Sequence, residues 1–133
     1  MAAQGAFAGL AAAMLVAAGD PFPSALRAWW FVTLVGSANL AHVRRWLGQA
    51  HGLDQEEVRK RMRLVHALHA LLVATSVILL APRGLGGILW SGWTLLLYLR
   101  ALAPYRMTPA RTLGWREGGL SVLGLLLLWR ALL

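Results

Sequence analysis

Long apolar stretches alternate with short charged segments along the whole chain. Between Arg63 and Arg83, 19 consecutive residues include no Asp, Glu, Lys or Arg. At about 1.5 Å of rise per residue, a helix of that length reaches roughly 28 Å, which is close to the hydrocarbon thickness of a bilayer. The pattern therefore predicts an all-α fold, a polytopic transmembrane helix bundle.

Five segments are predicted to cross the membrane and to form a single domain over residues 1–133. They are residues 2–19, 26–43, 62–81, 85–103 and 117–132. The last is interrupted by Arg130 near its end. The first lacks the basic region with which a signal peptide begins, so a retained span is favoured over a cleaved leader.

The basic loop before the third span contains its own helix start. Asp54 is suited to be an N-cap, and Glu57 follows three residues later, as in a capping box. Glu56 stands four residues before Lys60, the favourable order for an ion pair along a helix. We therefore expect one long helix, from about residue 55 to residue 80, that continues without a break into the third span.

The second basic loop, residues 100–116, contains a second possible helix start. Thr108 and Pro109 form an N-cap followed by proline at the first helical position, which predicts at most a short interfacial helix before Gly114. Glu117 then stands beside Arg116, and we expect it to be ion-paired at the start of the fifth span.

Composition supports a membrane location and excludes several functions. Hydrophobic residues make up 59% of the chain and charged residues only 14%, too little polar surface for a soluble domain of 133 residues. The net charge of +8 is placed in loops beside apolar spans, which favours anionic lipid headgroups over nucleic acid. The absence of cysteine removes disulfides and thiol chemistry. Few Asn and Gln residues, no Cys and Arg in place of Lys are compatible with a GC-rich or thermophilic bacterial source, and we expect a bacterial inner membrane.

The distribution of Arg and Lys predicts the orientation. Ten of the 13 lie in two loops, residues 44–63 and 100–116, and three lie elsewhere, at Arg27, Arg83 and Arg130. Positive charge accumulates on the cytoplasmic side of membrane proteins. Five spans then place the N-terminus in the cytoplasm and the C-terminus outside.

Three histidines occur at related depths in the predicted second and third spans. His42 lies near the end of one span, and His66 and His69 lie near the start of the next, so antiparallel helices would bring them together. Ser76 shares a helix face with His66 and His69, and Asn39 lies about one turn from His42. Polar side chains within a bilayer usually face protein or water.

This histidine group admits several interpretations. His42 with His66 or His69 could ligate a haem b between two helices, because one imidazole from each side is a suitable axial pair. A Zn or Cu site built from all three is a second interpretation, and a quinone or lipid-headgroup pocket is a third. The simplest interpretation is that these side chains only make hydrogen bonds between helices or lie at the interface.

A second polar group lies in the fourth span. Ser91, Thr94 and Tyr98 share one helix face and could line a pocket or a path. Ser and Thr hydroxyls also bond to carbonyls of their own helix, which is a structural alternative. The spans contain no carboxylate suited to relay protons.

No sequence motif of a hydrolase, metalloprotease or nucleotide-binding enzyme occurs, so no catalytic residue is predicted. We expect a non-catalytic accessory, assembly or regulatory component of a larger membrane complex, or a homo-oligomer. A haem-binding redox or haem-maturation protein and a small transporter or channel are the alternatives. The order of spans, basic loop and histidine-bearing helix is loosely similar to the layout of small haem-associated membrane proteins such as the HemJ-type protoporphyrinogen oxidases. This likeness extends to no residue.

Overall fold

The computed structural model of this chain describes residues 22–104 and 109–132, together with Val16 and Gly19. Within those residues the chain is all helical and contains no strand. The elements are α1 (Phe22–Ala50), α2 (Gln55–Leu79), a short 3-10 helix (Ala81–Arg83), α3 (Leu85–Leu102) and α4 (Ala110–Leu132). The first predicted span, residues 2–19, lies outside the described residues apart from Val16 and Gly19.

The long helix predicted for the basic loop and third span is confirmed as α2. It begins where the sequence indicates, since the Asp54 side chain accepts a hydrogen bond of 2.7 Å from the Glu57 backbone N–H. On the next turns, Glu56 pairs with Lys60 at 2.9 Å and Glu57 with Arg61 at 3.1 Å. Local capping and i,i+4 pairing therefore fix the start of this helix, independently of the bundle.

The prediction of at most a short interfacial helix before Gly114 is wrong, because α4 runs from Ala110 to Leu132 as one helix. Pro109 directly precedes it, and its carbonyl accepts a 3.0 Å bond from the Leu113 N–H. One glycine within a helix costs only about 1 kcal/mol relative to alanine, too little to end a helix that packs against its neighbours. Glu117 consequently lies about two turns from the start of α4 rather than at its start.

The structure supports fewer membrane crossings than the five predicted. Among the described residues, two segments are long and apolar enough to cross a bilayer, Gln55–Arg83 and Leu85–Leu102. The remaining helices, α1 and α4, are long enough to cross a bilayer. Small, amphipathic and charged residues lower the mean hydropathy of their apolar stretches. The all-helical fold is thus confirmed, while five spans are not supported by the described residues.

The four helices pack as antiparallel neighbours joined by short connections. Each contacts the next along the chain, and α1 also contacts α4, which closes the bundle. The buried centre contains Phe31 of α1, Leu72 of α2 and Trp90 of α3. The rings of Phe31 and Trp90 meet edge to face at 5.8 Å, a favoured aromatic geometry.

The turn between α2 and α3 is tight. Gly84 has a φ of 102°, a conformation that L side chains rarely adopt. Three residues later, Gly87 lies so close to the Leu80 carbonyl that a Cβ atom there would overlap it. These two glycines allow α3 to begin directly against the end of α2.

Large apolar side chains are also exposed on the outside of all four helices. On α3 the exposed residues are Leu85, Ile88, Leu89, Leu95, Leu96, Leu99 and Leu102. On α4 they are Trp115, Val122, Leu123, Leu125, Leu126 and Trp129. Soluble monomers rarely expose contiguous apolar surface of this extent.

Candidate functional site

The structure brings His66 and His69 together around Tyr98 of α3. The His69 ring stacks on the Tyr98 ring, with 6.0 Å between the ring centroids. The His66 ring meets the Tyr98 ring edge to face, also with 6.0 Å between the centroids. His66 Nδ1 lies 3.3 Å from the Tyr98 hydroxyl oxygen. His69 is fully buried, and its Nδ1 donates to the Val65 carbonyl oxygen at 2.8 Å. Because Nδ1 is the donor, it carries the proton and Nε2 holds the free lone pair. Nε2 has no hydrogen-bond partner among the described residues.

His42 lies on α1 and lines a different space. It is 3% exposed, and its Nδ1 is buried without a hydrogen-bond partner within the described part of the chain. We call the space beside it the cationic cavity, a volume of about 260 Å³ at the end of the bundle where α1 ends and α4 begins. Its lining residues are His42, Arg45, Trp46, Arg100, Ala103, Pro104 and Arg116. The lining includes neither His66 nor His69.

Arg45 lines the cationic cavity and connects two helices beside it. This side chain is 4% exposed, and its Nη1 donates to the Ala101 carbonyl oxygen at 3.0 Å and lies 2.9 Å from the Met62 sulfur. Ala101 is in the last turn of α3, where carbonyls lack partners within the helix. The guanidinium therefore joins α1 to the end of α3 and supplies the hydrogen bond that the Ala101 carbonyl oxygen lacks within the helix.

A carboxylate lies next to the other two arginines. Arg100 donates to Glu117 Oε1, and the same oxygen is 3.6 Å from Arg116 Nε. The expected pairing of Glu117 with Arg116 is thus found, although Arg100 is its nearer partner. The Arg100 side chain is 21% exposed and that of Arg116 is 49% exposed, so the cavity opens toward Arg116.

The polar residues predicted on α2 and α3 make specific hydrogen bonds. Ser76 accepts a 2.9 Å bond from Trp90 Nε1 and donates to its own helix at the Leu72 carbonyl. Ser91 donates to the Gly87 carbonyl at 2.8 Å, and Thr94 to the Ser91 carbonyl at 2.9 Å. Both hydroxyl groups are buried and are used within α3.

Asn39 lies beside an apolar space between α1 and α4. We call it the lateral groove; its volume is about 300 Å³. Its lining residues are Val32, Val35, Gly36, Asn39, Leu40, Val43, Trp90, Ser121, Gly124, Leu125 and Leu128. The Asn39 Oδ1 atom is buried and has no hydrogen-bond partner among the residues that the structure describes. A buried amide oxygen without a donor is unfavourable by about 1 to 3 kcal/mol.

Sequence reasoning missed the cationic cavity because it treated the arginines as flanking charges. One signal was available for Arg45, since it follows Ala38 and Ala41 at helical spacing. Those two positions are buried where α1 meets its neighbours. The positions of Arg100 and Arg116 depend on how α3 and α4 are rotated, which the sequence does not indicate.

No metal-binding group is formed by the described residues: no three His, Asp or Glu side chains are placed to hold an ion. The three-histidine metal site is therefore not supported by the described residues. Comparison with protein-family models, characterised proteins and solved structures finds no match to this chain.

Proposed function

We propose that this chain is a multi-pass membrane protein whose role is to pack against other helices. It would act as a non-catalytic accessory, assembly or regulatory subunit of a larger membrane complex, or as a homo-oligomer. The lateral groove carries the proposal. It is an apolar space open to the side of the bundle, with an unpartnered amide oxygen at Asn39.

The exposed apolar surface supports the membrane location. In the most apolar 18 residues of Gln55–Arg83, only 28% of the residues are buried, and in Leu85–Leu102 only 39% are. A core helix of a soluble protein would be mostly buried, whereas a helix that faces lipid keeps its apolar side chains on the outside.

A larger number of crossings follows from the packing partners of these two helices. Segments 26–43 and 117–132 belong to helices of 29 and 23 residues, about 44 and 35 Å long, and they pack alongside α2 and α3. Together with residues 2–19 they would give five spans, with the N-terminus cytoplasmic and the C-terminus outside by the distribution of Arg and Lys. The bacterial inner membrane is the location proposed.

Helix association in lipid depends on close contact and on hydrogen bonds between helices, because lipid tails are as apolar as the helices themselves. Gly36, Asn39 and Gly124 are among the residues that line the lateral groove. A partner helix with small residues and one donor would fit there. Because Asn39 Oδ1 has almost no accessible surface, the Asn39 side chain would have to turn toward that donor, which would remove the unfavourable free energy of the unpartnered oxygen.

Two neighbouring leucines on α4 test the lateral groove. Leu125 lines it and is 54% exposed, whereas Leu126 is 65% exposed and does not line it. We expect native membranes solubilised in mild detergent to yield a larger assembly, either with another chain or with a second copy. Leu125→Trp should fill the groove and release the partner, while Leu126→Trp should leave the assembly intact. A stable monomer for the unmodified protein, or equal effects of both variants, would contradict the proposal.

Haem b binding by His42 with His69 or His66 is a second proposal, supported by one observation. The Nδ1 of His69 is turned toward the Val65 carbonyl, which directs the proton away from Nε2, the arrangement usual for a metal-ligating imidazole. Protein purified from haem-replete cells should then show a Soret band and a reduced-minus-oxidised α-band. His69→Ala should abolish both, and His51→Ala, at an exposed loop position, should not. A spectrum without bands would end this proposal.

A small transporter or channel, the third function considered, depends on Ser91, Thr94 and Tyr98. The hydroxyl groups of Ser91 and Thr94 bond to carbonyls of α3 itself, and Tyr98 contacts the two histidines. Nothing among the described contacts favours this function.

A further inference from the structure

We propose that the cationic cavity is a binding site for a phosphate group, formed by Arg45, Arg100 and Arg116 from three different helices. The site goes beyond the proposed packing function and does not depend on it. Only the choice of a lipid headgroup as the source of the phosphate depends on the membrane location.

The charge around the cavity is not balanced by the described residues. Three guanidinium groups line it, and the carboxylate that contacts them is Glu117, which is bonded to Arg100 and lies near Arg116. Three arginines and one carboxylate leave two positive charges uncompensated. Charges of like sign that are held close together and partly removed from water are unfavourable, and a bound anion compensates for that cost.

Several guanidinium N–H groups lack acceptors as well. Arg45 Nε and both Nε and Nη2 of Arg100 are buried and have no hydrogen-bond partner among the described residues. The second carboxylate oxygen of Glu117, Oε2, is likewise buried without a partner there, so the site lacks one donor as well as three acceptors. Buried N–H groups of a charged side chain rarely remain unbonded. These nitrogen atoms have almost no accessible surface, so Arg45 and Arg100 would have to turn toward a bound anion, whose oxygens would then supply the missing acceptors.

Phosphate suits these donors better than a monatomic anion does. Guanidinium groups bind the oxygens of phosphate through paired N–H bonds, and donors on three helices can reach different oxygens of one tetrahedral group. At about 30 Å³ per water in the liquid, a cavity of about 260 Å³ has room for a phosphate group with several waters.

Two sources of that phosphate are compatible with the position of the cavity. It lies at the end of the bundle that carries most of the basic residues, and basic pockets between helices on that side bind anionic lipid headgroups. Arg116 is half exposed and marks the open side of the cavity. Free phosphate from the cytoplasm could enter by the same opening.

A structural explanation accounts for part of the cluster only. Arg45 caps the end of α3 through Ala101, and this bond would be made with or without an anion. It explains neither the unpartnered N–H groups of Arg100 nor the presence of Arg116 at the opening. The test is therefore placed on Arg116, whose exposure makes its replacement least disruptive.

The experiment measures the thermal unfolding midpoint of the delipidated full chain in neutral detergent, followed by tryptophan fluorescence. Inorganic phosphate is titrated at constant ionic strength in one arm. In the second arm, mixed micelles containing phosphatidylglycerol are compared with micelles containing phosphatidylcholine. Arg116→Gln is the test variant, and Arg111→Gln, an exposed position on the same helix, is the control with the same change of charge.

We expect phosphatidylglycerol to raise the midpoint more than phosphatidylcholine, and Arg116→Gln to weaken the apparent affinity about tenfold while Arg111→Gln leaves it unchanged. A rise with phosphate that matches the rise with phosphatidylglycerol would identify a free anion as sufficient. No rise with either ligand, or equal losses in the two variants, would overturn the proposal. A monomer that still binds phosphate would refute the packing function and leave this site standing.

Discussion

The interface between α2 and α3 is filled, whereas the interface between α1 and α4 leaves space. At the first, a tight turn and Gly87 bring two backbones into contact, and Trp90 reaches across to Ser76. At the second, the lateral groove and the cationic cavity lie one after the other along the bundle. Helices that are adjacent in sequence meet through a short turn, but α1 and α4 meet only at the closure of the bundle. The lateral groove and the cationic cavity therefore lie along a contact that no short turn fixes.

The largest effect is expected where the filled interface has no room. A Cβ at position 87 would overlap the Leu80 carbonyl, and a backbone group cannot move aside as a flexible side chain can. Gly87→Ala should therefore lower the free energy of unfolding by about 3 kcal/mol. Gly92→Ala is the control, since Gly92 is on the same helix and a Cβ there would meet no other atom within 4 Å. Denaturant titration in detergent micelles measures both, and similar stabilities would show that the α2–α3 contact is looser than described.

An intermediate effect is expected at the cationic cavity. Glu117→Gln removes the carboxylate that accepts from Arg100, which leaves a mostly buried guanidinium with less compensation. We expect a loss of about 1 to 3 kcal/mol in unfolding free energy, together with tighter phosphate binding because the site becomes more positive. Glu56→Gln, which breaks an exposed pair with Lys60, should change stability by less than about 1 kcal/mol. Weaker phosphate binding by Glu117→Gln in titration calorimetry would contradict the electrostatic explanation.

The smallest effect is expected for the single hydrogen bond between Ser76 and Trp90. Ser76→Ala should lower the free energy of unfolding by about 1 kcal/mol, and a double-mutant cycle with Trp90→Phe should give a coupling of about 0.6 kcal/mol, the average found for hydrogen bonds between membrane helices. Thr75→Ala is the control, because its hydroxyl bonds only to carbonyls of α2. Unfolding in detergent measures the cycle, and a coupling of zero would place the stability of this interface in packing alone.

Features decided by neighbouring residues were predictable from the sequence, and features decided by helix rotation were not. The start of α2 at Asp54 follows from capping and i,i+4 pairs, which act within two turns. The burial of Arg45 depends on which face of α1 meets α3, and the stacking of Tyr98 on His69 depends on the register between α2 and α3. Both are properties of the packed bundle. The continuity of α4 through Gly114 also depends on packing, because the contacts of α4 with α3 and α1 outweigh the low helix propensity of one glycine.

Membrane integration is tested most directly by fractionation. If the proposed membrane location is correct, full-length protein expressed at a low level should remain in the membrane pellet after alkaline carbonate washing and should be released only by detergent, because its exposed leucines and tryptophans would then face lipid. Recovery of an unaggregated protein in the detergent-free supernatant after high-speed centrifugation would contradict this.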